Sequence, residues 1–287
     1  DQDLIKKGGC PMDCHYCPFE KDVDGNPTQP RSYLSTEPGN KRATENLHHP
    51  LGQVYSRIFQ LEMIGHLLDD PGHSNKIELI ISGGTFNFYP EEYIIWFSTC
   101  AYYACNSYFE AKQNMSDFSN VRPMKSLLEE KNINETATNR IIGLTIETRP
   151  DYVAPIDKQT GTINFSQIKL FRKIGVTRVQ IGIQSTRDNI LKKINRGCTN
   201  KDNKWGIQIL KSNGFKTDIH IMLDLPGSTP EIDISVIDEI TNDPYLQADQ
   251  WKLYPTEITP FTKIKDWFDE GKYIPYAQDH AEGKSYK

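Results

Sequence analysis

Lys76-Ile77-Glu78-Leu79-Ile80-Ile81-Ser82-Gly83-Gly84-Thr85 is the stretch on which the fold turns. It is short, rich in isoleucine and leucine, and closes on two glycines. A run of that kind reads as a β-strand ending in a turn. Four later runs share the form. Arg140 to Glu147 (RIIGLTIE) leads into Thr148-Arg149-Pro150, and Val176 to Ile183 (VTRVQIGI) into Gln184-Ser185. Thr217 to Leu223 (TDIHIML) stops before Leu225-Pro226-Gly227, and Gln250 to Tyr254 (QWKLY) is closed by Pro255. Most are apolar enough to be strands buried on both faces.

Helical patterns lie between and before these runs. Val54, Ile58, Leu61, Ile64 and Leu68 follow the i, i+3, i+4 rule, with Pro50 near the start. Phe165, Ile168, Phe171 and Ile174 do the same up to Gly175, and Trp205, Ile209 and Leu210 up to Gly214. Repeated strand–helix units imply an α/β fold with a parallel sheet, right-handed crossovers and outer helices. Ligands in such folds sit at the carboxyl ends of the strands. Gly83-Gly84-Thr85, Glu147, Gln184, Pro226-Gly227 and Tyr254-Pro255 all fall at or near such ends, which predicts one site. Two stretches break the alternation. Asp22 to Pro50 is polar and proline-punctuated and reads as an ordered loop or lid. Ser107 to Asn139 reads as an insertion on the outside.

The chain has 287 residues, with 33 lysines and arginines against 38 aspartates and glutamates, a net charge of −5. This excludes a polycation that binds nucleic acid by bulk charge and leaves room for a local basic patch. No apolar run has the length of a membrane helix, and the polar start Asp1-Gln2-Asp3-Leu4 is unlike a signal peptide. A cytoplasmic protein with no membrane partner is the expectation.

Three of the six cysteines crowd into Cys10-Pro11-Met12-Asp13-Cys14-His15-Tyr16-Cys17, spacing C-x3-C-x2-C. Clustered thiols suit metal ligation in a reducing compartment better than bridging. Three thiolates can ligate three irons of a [4Fe-4S] cluster and leave the fourth open to another ligand. The rival is a structural zinc site completed by a histidine. His15 adjoins Cys14, so joint ligation by the two is awkward, and the iron–sulfur reading is preferred.

The other strand-end residues carry two readings each. Gly83, Gly84 and Thr85 form either a tight turn or a backbone surface for a ligand. Glu147 and Arg149 form either a surface ion pair or a site for a zwitterion. Gln184 ends the third run. Arg196 is either a solvated helix end or a carboxylate partner. His220 is either a core residue or a side chain facing a barrel interior. Cys100 and Cys105 lie in a helical, aromatic stretch and read as small buried groups, and Cys198 has no cysteine near it.

The cysteine spacing followed by strand–helix units resembles the radical S-adenosylmethionine superfamily. The resemblance implies a partial (β/α)6 barrel spanning residues 1–287, a [4Fe-4S] cluster on Cys10, Cys14 and Cys17, and S-adenosylmethionine on its open iron. It also implies that one electron cleaves the sulfonium to give a 5′-deoxyadenosyl radical. Gly83, Gly84, Thr85, Glu147, Arg149, Gln184, Arg196 and His220 are then the cofactor-binding candidates.

More closely, the chain resembles the radical domain of the Elongator catalytic subunit family. The residues that carry this are Cys14-His-Tyr-Cys17-Pro18, Ser32-Tyr33, Glu37-Pro38, Arg42-Ala43, Lys76 to Phe86, Gly143 to Tyr152 and Arg178 to Ser185. Asn195-Arg196-Gly197, His220 to Pro226 and Lys252-Leu253-Tyr254-Pro255 complete them. This resemblance implies carboxymethylation of carbon 5 of the wobble uridine of transfer RNA. In the family's scheme an acetyl-coenzyme A methyl radical adds to the uracil, and hydrolysis then frees coenzyme A. Lys76 matches a lysine that contacts acetyl-coenzyme A, and with Lys252 and Tyr254 it forms the catalytic set. The transfer-RNA anticodon stem-loop, acetyl-coenzyme A and Elongator-like subunits are the implied partners. The rival readings are radical chemistry on another substrate and a non-catalytic RNA-binding protein that keeps the cluster.

There are departures. The family's Cys-Pro-Gly-Gly is here Cys17-Pro18-Phe19-Glu20, and Cys198 replaces a histidine. Nine residues precede Cys10, too few for a first strand and its turn, and no acyltransferase-type glycine loop follows Lys252. The expectation is an incomplete barrel without the family's acetyltransferase domain, either a fragment or a minimal member. Candidates for phosphate contact are Arg31, Lys41-Arg42, Arg122 with Lys125, and Lys192-Lys193 with Arg196.

Overall fold

Isoleucine- and valine-rich runs favour a pleated, buried strand, and here they form a sheet. The computed structural model describes residues 9–70, 72–114, 118–157 and 159–279. The sheet holds β1 (Asn75–Ile81), β2 (Asn139–Thr148), β3 (Arg178–Gln184), β4 (Lys216–Leu223) and β5 (Gln250–Pro255). All neighbours are parallel, and the spatial order is the chain order, β1-β2-β3-β4-β5. A doubly wound sheet would reverse direction part-way and carry helices on both faces. Sequential order sends every right-handed crossover to the same side, which is the plan of a barrel wall. The architecture is thus a partial α/β barrel, with five strands among the described residues.

The connections are α3 (Glu91–Gln113) and α4 (Leu127–Asn134), then α5 (Ser166–Ile174), then α6 (Asp188–Lys193) and α7 (Asn200–Ser212), then α8 (Pro230–Asn242). Ahead of the sheet come α1 (Pro38–Glu45) and α2 (Pro50–Met63); after it come α9 (Lys263–Asp269) and α10 (Tyr276–Asp279). The core lies between strands and helices. Ile146, Val179, Ile181, Ile183, Ile219 and Ile221 pack with Ile94, Phe171, Ile174, Ile207, Leu210, Val236 and Ile240. Side chains alternate along a strand, so the intervening residues Glu147, Gln180, Gly182, His220, Lys252 and Tyr254 face the barrel interior.

Four expectations need correction. Burial on both faces holds for the middle strands but not for β1 and β5, which are the sheet's edges and are largely exposed on one or both faces. The helix through Val54 stops at Met63. Gly65 turns into the left-handed region at φ 78, and Ile64 beyond the last turn is 65% exposed. Asp22 to Pro50 contains α1 and is not wholly loop. Ser107 to Asn139 is not an outer appendage. Its first residues continue α3, and the Glu130 carboxylate, 0% exposed, accepts from Arg122 Nη1 and Nη2, Asn106 Nδ2 and the Lys125 backbone N–H. A buried acid so fully bonded fixes α4 against the body of the protein. Among the described residues no helix is long and apolar enough to cross a membrane.

Candidate functional site

The cysteine loop lies across the carboxyl end of the sheet and is tied down on both sides. The His15 N–H donates to Ile194 O at 2.9 Å, Asn195 Nδ2 donates to Asp13 O at 2.8 Å, and the Ile264 N–H donates to His15 O at 3.0 Å. Cys10, Cys14 and Cys17 are unbridged and line one cavity of about 500 Å³. Each sulfur has a polar neighbour. Thr85 Oγ1 donates to Cys10 Sγ at 3.2 Å. Arg149 Nη1 and Arg196 Nη1 donate to Cys14 Sγ at 3.5 and 3.6 Å. Cys17 Sγ and Ser32 Oγ share a hydrogen bond at 3.5 Å. Donors around thiolates neutralise their charge and tune a bound cluster. Burial pushes the Cys17 thiol up to about 11, so ligation there must displace a proton.

Among the described residues no three histidine, cysteine or acidic side chains form a set able to hold a metal ion. A four-iron cluster asks for one thiolate on each of three irons, with the fourth left open. Three unbridged thiols on one cavity, each with a polar neighbour at its sulfur, fit that donor set.

The cavity wall comes from the strand ends. Gly84 and Thr85 follow β1, Glu147 and Thr148 are the last residues of β2, Gln180, Gly182 and Gln184 come from β3, His220 and Met222 from β4, and Tyr254 from β5. Two glycines shape it. A Cβ on Gly84 would run into the Ser32 hydroxyl, and one on Gly182 into the Gln184 amide and the Arg196 guanidinium. Gln184 follows a β-bulge and is held at φ 65, a left-handed backbone that non-glycine residues take only where the surroundings force it. Glu147 accepts from Tyr33 Oη at 3.0 and 2.9 Å and from the Gly83 N–H at 3.0 Å. Burial is the first cause that keeps Tyr254 protonated, its pKa raised to about 12, and keeps His220 neutral, its pKa lowered to about 4.

Gln184 Oε1, Arg196 Nε and His220 Nε2 are buried without a hydrogen-bond partner. Buried polar atoms are usually paired. Three orphans on one cavity match a ligand with several polar groups, such as an amino acid joined to a nucleoside.

The structure thus gathers Cys10, Cys14, Cys17, Gly84, Thr85, Glu147, Gln184, Arg196, His220 and Tyr254 around one space. Others stand apart. Gly83 spends its N–H on Glu147. Arg149 is 1% exposed and lies behind the wall, bonded to Asp151, Arg196 O and Cys14 Sγ; it supports the cysteine and does not present itself to a ligand. Lys76 is exposed at the opposite end of β1, about 17 Å of strand away from the cavity end. Lys252 reaches the floor indirectly, its Nζ donating to Gln180 Oε1 at 2.9 Å. Among the phosphate candidates, Arg31 pairs with Asp13 and stacks on Phe19, Arg122 is committed to Glu130, and Arg196 is buried. Phe19 and Glu20 brace the loop: the Glu20 carboxylate accepts from Gln29 Nε2 and from the Ser35 N–H and Oγ–H.

Sequence reasoning gave no site role to Tyr16, Tyr33 or Gln180. For Gln180 a signal was present, because residues 180, 182 and 184 share a face at period two. For Tyr33 only the fold brings its hydroxyl to Glu147, 114 positions away in the chain.

The radical SAM superfamily model matches residues 4–234. The chain belongs to the radical S-adenosylmethionine superfamily. Membership implies a [4Fe-4S] cluster and S-adenosylmethionine for this radical S-adenosylmethionine protein. It is 36% identical over 269 residues, 93% of its length, to "tRNA uridine(34) acetyltransferase" of Methanocaldococcus infernus, and covers 44% of that protein. It is 31% identical over 92% of its length to human "Elongator complex protein 3", covering 43% of it. The solved archaeal Elp3 of Methanocaldococcus infernus superposes with a TM-score of 0.69 at 35% identity, over 83% of this chain and 49% of that one. The resemblance read from the sequence is borne out, and the chain spans less than half the length of each of these relatives.

Proposed function

We propose that this radical S-adenosylmethionine protein modifies carbon 5 of the wobble uridine of transfer RNA, adding a carboxymethyl group derived from acetyl-coenzyme A. The observation that carries the reading is similarity along 93% of the chain to a relative named for uridine 34 of transfer RNA. Once bound on Cys10, Cys14 and Cys17, a cluster supplies the electron that splits the sulfonium. The chain's own groups do the rest by holding and orienting. Arg196 and Gln184 offer a donor and an acceptor to the methionine end of the cofactor, and Glu147 with Gly84 and Thr85 bounds the other wall. Near neutral pH His220 is neutral and Tyr254 protonated, so neither adds a charge of its own to that interior.

The target base must leave its stack to reach a cavity at this depth. Of the phosphate candidates, exposed Lys41, Lys125, Lys192 and Lys193, with half-buried Arg42, are the cations left for the anticodon stem. Catalytic contact with acetyl-coenzyme A is assigned to Lys252 and Tyr254 ahead of Lys76, whose position at the far strand end suits a contact outside the cavity. Elongator-like subunits and a cytoplasmic setting belong to the same reading.

The test is a cleavage assay. The cluster is rebuilt without oxygen, reductant and S-adenosylmethionine are added, and 5′-deoxyadenosine is measured with and without transfer RNA and acetyl-coenzyme A. Cleavage that rises with both, with carboxymethylated uridine in the RNA, is the expected result. Cleavage indifferent to RNA would point to another substrate, and no cleavage under any condition would remove the enzymatic reading.

A further inference from the structure

The floor of the cavity is a row of polar side chains on the inner faces of β3, β4 and β5. Gln180 stands opposite Asp218 in the register, and His220 stands opposite Lys252. Lys252 belongs to the edge strand, and its side chain is exposed. A lysine there is free to wave its ammonium in water at no cost. Instead Nζ is turned inward and donates to Gln180 Oε1 at 2.9 Å.

Gln180 is only 4% exposed, and its amide is gripped from the other side. Its Nε2 donates to Asp218 Oδ2 at 3.4 Å. Asp218, 1% exposed, is itself held by Arg178 Nη1 at 2.6 Å. A carboxylate on one side and an ammonium on the other dictate which end of the amide faces which. Glutamine is the side chain that serves both. Leucine would offer neither group, and glutamate would keep an acceptor for the ammonium while facing a like charge at Asp218.

We propose that Gln180 is a positioning residue, braced by Asp218 and Arg178, that holds the Lys252 ammonium at the cavity floor beside His220, where it meets an acyl or anionic oxygen of the co-substrate. This rests on the reading of Lys252 as a co-substrate contact. His220 reports on the arrangement. Burial and then the Lys252 charge are what lower its pKa. The Tyr254 ring, 6.2 Å away, meets it edge-on.

The experiment follows His220 by nuclear magnetic resonance of isotope-labelled histidine in the full chain, alongside acetyl-coenzyme A kinetics. Lys252→Met should raise the His220 midpoint. Gln180→Leu should release the ammonium to solvent and raise that midpoint by about half a pH unit or more. It should also raise KM for acetyl-coenzyme A about tenfold, with a smaller change in kcat. Gln180→Glu, which keeps an acceptor for the ammonium but sets a carboxylate against Asp218, should raise KM less than Gln180→Leu does, and it stands in if the leucine variant does not fold. A His220 midpoint that moves in Lys252→Met but not in Gln180→Leu overturns the inference, as does a Gln180→Glu variant with KM raised as far as in Lys252→Met. If Lys252→Met leaves midpoint and KM both unchanged, the reading of Lys252 itself falls and takes the tether's role with it.

Discussion

His220 sits in the barrel interior as a neutral ring, its pKa lowered to about 4 from an ordinary 6.5 by burial and by Lys252. Between those two values the unfolded chain binds a proton that the folded chain refuses. Stability therefore falls as pH drops from about 6.5 toward about 4. The slope approaches about 1.4 kcal/mol per pH unit, reduced by the ring's partial exposure to water. Urea melts at pH 7 and pH 4.5 should differ less for His220→Leu than for the parent. Equal differences would place the pH dependence on other groups. At this scale the sequence offered His220 two roles, core residue or barrel-facing side chain. The inner face of β4 selects the second, and a residue inside a parallel strand has only those two directions to take.

Elements here are placed by close backbone contact as much as by apolar burial. Helix α7 crosses the turn after β2 at Gly206, where an added Cβ would stand 3.0 Å from Pro150 Cα and Cβ and 3.1 Å from its carbonyl oxygen. The adjoining Trp205 Nε1 donates to Ala154 O at 2.9 Å, so the helix cannot back away without losing that bond. Gly206→Val should cost about 1–3 kcal/mol, read as a lower urea midpoint. Gly39→Ala in α1, where a Cβ meets nothing, should be neutral or mildly stabilising in the same assay. A Gly206→Val protein as stable as the parent would mean that α7 can shift. The existence of α7 was legible from Trp205, Ile209 and Leu210. Its contact with Pro150 was not, because a glycine inside a helical pattern does not name the neighbour that requires it.

Across the whole molecule, eight consecutive residues bring the three thiols while the cavity wall is gathered from all five strands or the turns that follow them. The loop is anchored to the turn after α6 through Asn195 and Ile194, and to the start of α9 through Ile264. A bound cluster therefore reports on the assembled barrel and not on a free peptide. Cys14→Ala should lose the brown iron–sulfur absorbance while the folding transition measured on the unloaded protein survives. Retention of a full cluster would count against the ligand assignment.

The sequence by itself determined the order of the five strands and the helices through Val54, Ile168 and Trp205, the thiol trio, Gly84 of the wall and the superfamily. Each is written in local terms: period two or 3.6, a turn residue, a fixed spacing. Only the tertiary structure decided that Arg149 stands behind Cys14, that Lys76 lies at the far end of β1, that Tyr33 bonds Glu147, and that Gln180 tethers Lys252. Those outcomes depend on which groups meet across tens of residues and on how each strand leaves the sheet, as at Gln184 with its φ of 65. Spacing along the chain carries no record of either, because a side chain's partner is chosen by the packing of elements that are remote in sequence.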